Sequence, residues 1–162
     1  MKKNLKLQIN GTWKEFSIEP GTLLLDLLRT AGYQGVKDGC REGECGACTV
    51  HIDGRPINSC TLFALQADGR SITTIEGLGN PDHPHPIQEA FVETGAVQCG
   101  FCIPGKIMSV KALLDRNPDP DEHQIREALS GNLCRCTGYV KQIEAVKLAA
   151  RRIREKKGDH HE

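Results

Sequence analysis

The sequence predicts an α+β chain in two parts: a strand-rich first half enclosing one helix, then an all-α second half built on an approximate twofold repeat. Three observations carry this. Two turn dipeptides, Asn10-Gly11 and Asp53-Gly54, each separate a pair of alternating segments in the first half. From about Ile87 onward the apolar residues recur at helical spacing instead. Seven of the eight cysteines sit in three short runs, GCREGECGACTV, QCGFC and NLCRC, which fall between the periodic segments.

Taken in order, LKLQIN and WKEFSIE alternate and pair across Asn10-Gly11 as two strands. Thr22 is placed to cap a helix whose apolar face is Leu24, Leu27 and Leu28 and which ends near Gly32. The first cysteine run follows. Thr49 to Ile52 and Arg55 to Asn58 flank Asp53-Gly54 as a second hairpin, and Ser71 to Ile75 supply a last strand. GLGNPDHPHP, rich in Gly and Pro, reads as a linker. Helical stripes then frame each later cysteine pair: Ile87, Ala90 and Phe91 before QCGFC, with Ile107, Val110 and Leu114 after it. Ile125, Ala128 and Leu129 precede NLCRC, and Ile143, Val146, Ala150 and Ile153 follow it. The expected division is 1–78 for the strand-rich unit, 79–86 for the linker, 87–155 for the four-helix unit and 156–162 for a polar, solvated tail.

Charge and length exclude several functions. Lys plus Arg and Asp plus Glu both number 21 in 162 residues, so no basic field recruits nucleic acid or an anionic membrane. No apolar run is long enough for a membrane span, and the N-terminal residues lack the apolar core of a secretory signal. A cytoplasmic location is expected. In that setting eight cysteines are poorly explained by disulfides, and the alternatives are zinc or iron–sulfur.

Spacing separates those two. Cys40, Cys45 and Cys48 follow C-x4-C-x2-C with Cys60 further on, the plant-type [2Fe–2S] pattern, whereas structural zinc favours two paired knuckles. A loop around an anionic cluster aims backbone N–H groups at sulfur, and Gly39, Gly43 and Gly46 supply the unusual backbone angles this needs. Arg41 reads as a solvated neighbour. Cys99 and Cys102 form C-x2-C ahead of Pro104, a first-turn proline, while Cys134 and Cys136 form C-x-C ahead of a helix opening near Tyr139. Helix N-termini favour an anionic group at both places. No catalytic acid, base or nucleophile stands out. His51 reads as a strand residue, exposed or packed, and His83 and His85 as linker residues. On residues alone, a freestanding two-cluster electron carrier and a zinc-binding interaction module stay open.

GCREGECGACTV, QCGFCIPG and SGNLCRCTGY, in that order, resemble the small iron–sulfur subunit of the molybdenum hydroxylases, the family of xanthine dehydrogenase, aldehyde oxidoreductase and molybdenum-type carbon monoxide dehydrogenase. The likeness runs from about Leu5 to Ile153. It implies a β-grasp, plant-type ferredoxin-like domain whose Cys40, Cys45, Cys48 and Cys60 hold one [2Fe–2S] cluster, then a four-helix domain whose Cys99, Cys102, Cys134 and Cys136 hold a second. It further implies that Gln98 and Cys136 lie against a molybdopterin carried by a large partner subunit, and that a medium subunit carries FAD. The function implied is one-electron relay out of a molybdenum site, within a hetero-oligomer. EGECGAC points to a purine or N-heterocycle hydroxylase.

Overall fold

The structure, a computed structural model, describes residues 1–158. Alternation builds the first half. Along β1 (Lys3–Ile9) Leu5, Leu7 and Ile9 are buried while Asn4 and Lys6 face outward. Asn10 and Gly11 both take positive φ, 49° and 82°, and turn the chain into β2 (Thr12–Ile18), as an Asn-Gly turn between twisted strands requires. The helix α1 (Leu24–Thr30) follows, then β3 (Thr49–Ile52) and β4 (Arg55–Asn58) joined through Asp53 and Gly54, again with positive φ, and then β5 (Ser71–Thr73). The sheet order is β2-β1-β5-β3-β4; β1 and β5 run parallel and the other neighbours antiparallel. Leu24, Leu25 and Leu28 of α1 close its core against Leu7, Val50 and Ile72.

Two expectations in the first half are displaced by tertiary partners. Thr22 does not cap α1: Leu23 occupies the N-cap position without a side-chain hydrogen bond, because it stays extended in a bridge with Phe63. Thr22 works through its backbone, its carbonyl accepting from Ala64 N–H at 2.9 Å. The last strand stops at Thr73, not Ile75, because the Thr74 N–H is taken by the Asn10 side chain (2.9 Å), which ends the ladder.

The second half contains α2 (Pro86–Glu93), α3 (Ile103–Arg116), α4 (Glu122–Ser130) and α5 (Val140–Gly158). Reciprocal caps open two of them. His85 Nδ1 accepts from Ile87 N–H (3.2 Å) while Gln88 accepts from His85 N–H (2.8 Å) at α2. Asp121 accepts from Gln124 N–H (2.8 Å) while Gln124 accepts from Asp121 N–H (2.9 Å) at α4. The expected stripes meet in one core of Ile87, Phe91, Val110, Ile125, Leu129 and Val146. Each such side chain contributes about 1.5–3 kcal/mol of transfer free energy. α5 continues to Gly158, into the stretch expected as a solvated tail, whose last residues 159–162 lie outside the described residues. Among the described residues the chain is thus mixed, with a five-stranded sheet and five α-helices. No described helix is long and apolar enough to cross a membrane.

Candidate metal centres

The loop between α1 and β3 folds around its own sulfurs. Cys40 Sγ accepts from the backbone N–H groups of Glu42 and Cys45, each at 3.4 Å, and these bonds bring the Cys40 thiol down to about 6. Gly43 (φ 82°) and Gly46 (φ 66°) adopt the left-handed angles that let the loop do this. Gly39 does not; what it contributes is the missing side chain, since a Cβ there would stand 2.7 Å from Cys45 Sγ. Cys48, entering β3, meets Cys60 in a 3-10 turn after β4, where Ser59 Oγ donates to the Cys48 carbonyl at 2.8 Å. Burial pushes the Cys60 thiol up to about 11, with Cys48 adding to the effect and Cys40 also near enough to contribute. The four predicted thiols therefore come together as two pairs, Cys40 with Cys45 and Cys48 with Cys60. Arg41 is not simply solvated: at φ 60° it bridges Asp26 (2.8 Å) and Asp38 (2.6 Å), tying the loop to α1.

The later cysteines assemble in the same two-by-two way. Cys99 and Cys136 sulfurs lie 3.6 Å apart, and Cys102 sits beside Cys134. Cys102 is the N-cap of α3, and Cys134 and Cys136 precede the N-terminus of α5, so free N–H groups of two helices flank the set. Burial raises Cys102 to about 11. Burial also works against ionisation of Cys134, but the Thr137 hydroxyl (3.2 Å) and the N–H groups of Thr137 and Cys136 outweigh it and bring this thiol to about 7. Cys99 and Cys136 are exposed, as are Gln98 and the apolar side chains Val97, Phe101, Leu133 and Val140 around them.

Two buried polar side chains beneath this second set escaped the sequence reading. Lys106 is fully enclosed; its Nζ donates to the Asn132 carbonyl at 2.6 Å and lies 4.2 Å from the Tyr139 ring centroid. Burial pulls its ammonium down to about 8, while the Cys102 and Cys134 sulfurs pull it back up. Gln142 points Nε2 toward Cys102 Sγ at 4.0 Å, and its Oε1 has no partner among the described residues. The available signal was position: Lys106 falls on the apolar face that Cys102, Val110 and Leu113 define at spacings of four, four and three.

The two sulfur sets are joined directly. Leu133, next to Cys134, donates its N–H to the Cys45 carbonyl at 2.9 Å. Asn132, 3 % exposed, donates to the Gly46 carbonyl (2.9 Å) and accepts from Ser109 Oγ (2.6 Å). A Cβ on Gly46 would collide with the Gly131 carbonyl, and one on Gly105 with the Gly46 carbonyl. His51 is packed here, Nε2 donating to the Met108 carbonyl at 2.7 Å in the neutral tautomer this geometry selects. His83 is exposed and His85 is spent as a helix cap, so neither joins a sulfur set.

The donor sets suit a binuclear cluster. Each has four sulfurs split into two pairs with backbone N–H groups directed at one of them, the first also relies on Gly39 for room beside Cys45, and all eight thiols are free. Among the described residues no three Cys, His, Asp or Glu converge tightly enough to hold a single ion.

Comparison with known proteins agrees. Residues 7–71 match the 2Fe-2S iron–sulfur cluster binding domain, and residues 74–147 match the [2Fe-2S] binding domain. The nicotinate dehydrogenase small FeS subunit of Eubacterium barkeri is 51 % identical over 152 residues, covering 93 % of this chain and 97 % of that one. Quinoline 2-oxidoreductase from Pseudomonas putida 86 superposes with a TM-score of 0.91 at 41 % identity, over 95 % of this chain and 97 % of that chain. Aldehyde oxidoreductase from Desulfovibrio gigas superposes equally well, TM-score 0.91 at 44 % identity, but there the matched part is 17 % of a much longer chain. The chain therefore belongs to the iron–sulfur, electron-transfer subunits of the molybdenum hydroxylase family.

Proposed function

We propose that Cys40, Cys45, Cys48 and Cys60 hold the outer of two [2Fe–2S] clusters, that Cys99, Cys102, Cys134 and Cys136 hold the inner one, and that the chain relays electrons for a hydroxylase of an N-heterocyclic substrate. In this reading 1–78 is a ferredoxin-like β-grasp unit and 87–155 a four-helix unit, joined through 79–86. When bound, each cluster supplies a one-electron redox site, which splits a two-electron oxidation into single transfers. The chain's residues supply the rest: thiolate ligands, N–H groups that stabilise them, and rigid spacing.

One observation carries the relay. The two cysteine sets are bridged directly by the Leu133 N–H to Cys45 carbonyl hydrogen bond, one residue from Cys134. The exposed rim of Gln98, Cys99, Phe101, Leu133 and Cys136 supports an apolar partner surface at the inner end, where Gln98 and Cys136 would meet the molybdopterin of a large subunit. That the same fold forms 17 % of one long chain in aldehyde oxidoreductase favours a permanent assembly over a freestanding carrier. A medium subunit with FAD is the expected acceptor. The N-heterocycle reading is supported by relatives named for nicotinate and quinoline. Eight free thiols favour a reducing, cytoplasmic setting.

The test is low-temperature EPR of the dithionite-reduced protein with iron and sulfide assayed on the same sample. Two distinct signals, integrating to about two spins with about four irons per chain, establish both centres. Zinc without sulfide sinks the relay and leaves an interaction module.

A further inference from the structure

Lys106 is the only Lys, Arg, Asp or Glu side chain that is buried among the described residues. It rises from the first turn of α3, four residues after Cys102, into an otherwise apolar face. Its ammonium donates to the Asn132 carbonyl and lies over the Tyr139 ring, and among the described residues no carboxylate pairs with it. An ammonium enclosed without an anion is strongly disfavoured unless something negative compensates it. The groups that face it from the surrounding elements are the sulfurs of Cys102 and Cys134. Gln142, from the first turn of α5, brings a second buried polar side chain to the same Cys102 sulfur.

We propose that Lys106 is a positioning residue that supplies the counter-charge of the inner centre and raises its reduction potential. The proposal rests on the ligand assignment above. A one-electron cluster held by Cys99, Cys102, Cys134 and Cys136 would gain one negative charge on reduction and lose it on reoxidation, with no bond formed or broken. A fixed positive charge in a low-dielectric pocket stabilises the reduced form more than the oxidised form. Among the described residues no cation is buried beside the outer set, and Arg41 there is committed to Asp26 and Asp38. Lys106 thereby biases the two centres apart in potential.

The measurement is an EPR-monitored redox titration of the cluster-loaded complex containing this chain, with Lys106→Gln and Lys106→Met alongside. Lys106→Gln removes the charge and retains an amide N–H donor, one bond shorter, on the Asn132 carbonyl side; Lys106→Met removes charge and donor together. At a fixed potential near the inner midpoint, the reduced-to-oxidised ratio of the inner centre is expected to fall about tenfold in both variants, equivalent to about 59 mV for a one-electron couple, while the outer centre moves far less. An unchanged inner ratio in Lys106→Gln, or equal displacement of both signals, overturns the proposal. So does loss of the inner spins from both variants with the outer signal intact, which would make Lys106 a prop for the NLCRC loop. Absence of a second signal in the unsubstituted chain is a separate result: it refutes the two-centre assignment first, and the role of Lys106 with it.

Discussion

Gly46 and Gly11 share a positive φ, yet the structure asks different things of them. Around Gly11 there is open space, whereas a Cβ on Gly46 would run into the Gly131 carbonyl and the Asn132 side chain. Gly11→Ala is expected to cost about 1–2 kcal/mol, the left-handed penalty alone. Gly46→Ala adds the collision of two backbones and is expected to cost about 3 kcal/mol or more, with loss of iron, because the Gly131 contact is backbone and the Asn132 amide is itself hydrogen-bonded in place. Urea melts and iron assays on the cluster-loaded variants check this; equal costs at the two sites would show that the contact between the halves is soft. Such residues mark where sequence reading stops. The cysteine spacing and the glycines beside it were legible because ligand chemistry is local, and Gly43 and Gly46 do take the angles foreseen. What Gly39, Asn132 and Lys106 do was not, because each acts on an atom brought to it by folding: Cys45 Sγ six residues on for Gly39, the Gly46 carbonyl across the chain for Asn132.

At the scale of elements, α2 begins on a histidine that has to stay neutral. His85 Nδ1 accepts the Ile87 N–H, so a proton there removes the cap. Its pKa lies below 6.5, chiefly through burial, with Lys111 reinforcing and Asp115 opposing. His51, packed between β3 and α3, is lowered by burial too, against the Met108 carbonyl that favours the charged form. Both folded values lie below the unfolded one, so the unfolded chain takes up protons first as pH falls. Stability is therefore full above about pH 6.5 and is lost from there down toward the folded values. Urea midpoints of the cluster-loaded protein should fall between about pH 7.5 and 5.5, and His85→Asn, which keeps a capping acceptor, should reduce that slope. An identical slope in His85→Asn would assign the acid sensitivity to other groups. Elements were the most legible level of the sequence. The Asn-Gly and Asp-Gly turns and the helical stripes located strands and helices to within a few residues, and the misses at Thr22 and Ile75 came from tertiary partners, Phe63 and Asn10, that no local pattern names.

For the whole molecule, the contrast between the two sulfur sets predicts how it fails. Cys48 and Cys60 are buried inside the sheet half, whereas Cys99 and Cys136 are exposed on a rim with Phe101 at 47 % and Leu133 at 55 % exposure. Purified without partner subunits, the chain is expected to lose its inner EPR signal first on exposure to a chelator, with the outer signal outlasting it; simultaneous loss would mean that the rim is not what protects the inner centre. Just ahead of the expected linker, 79–86, residues 74–78 are tied to both halves of the chain. Thr74 is held by the Asn10 side chain on both its N–H (2.9 Å) and its hydroxyl (3.0 Å). Glu76 takes the Gly35 N–H at 2.8 Å, while Ile75 and Leu78 pack on the helical core. The segment is thus a splint bonded to both sides rather than a hinge. A carrier that swings must wait for its arm to arrive, so its rate falls as the solvent thickens. Here the hop length is set at folding, and electron passage between the two centres is expected to run at the same speed in water and in viscous sucrose.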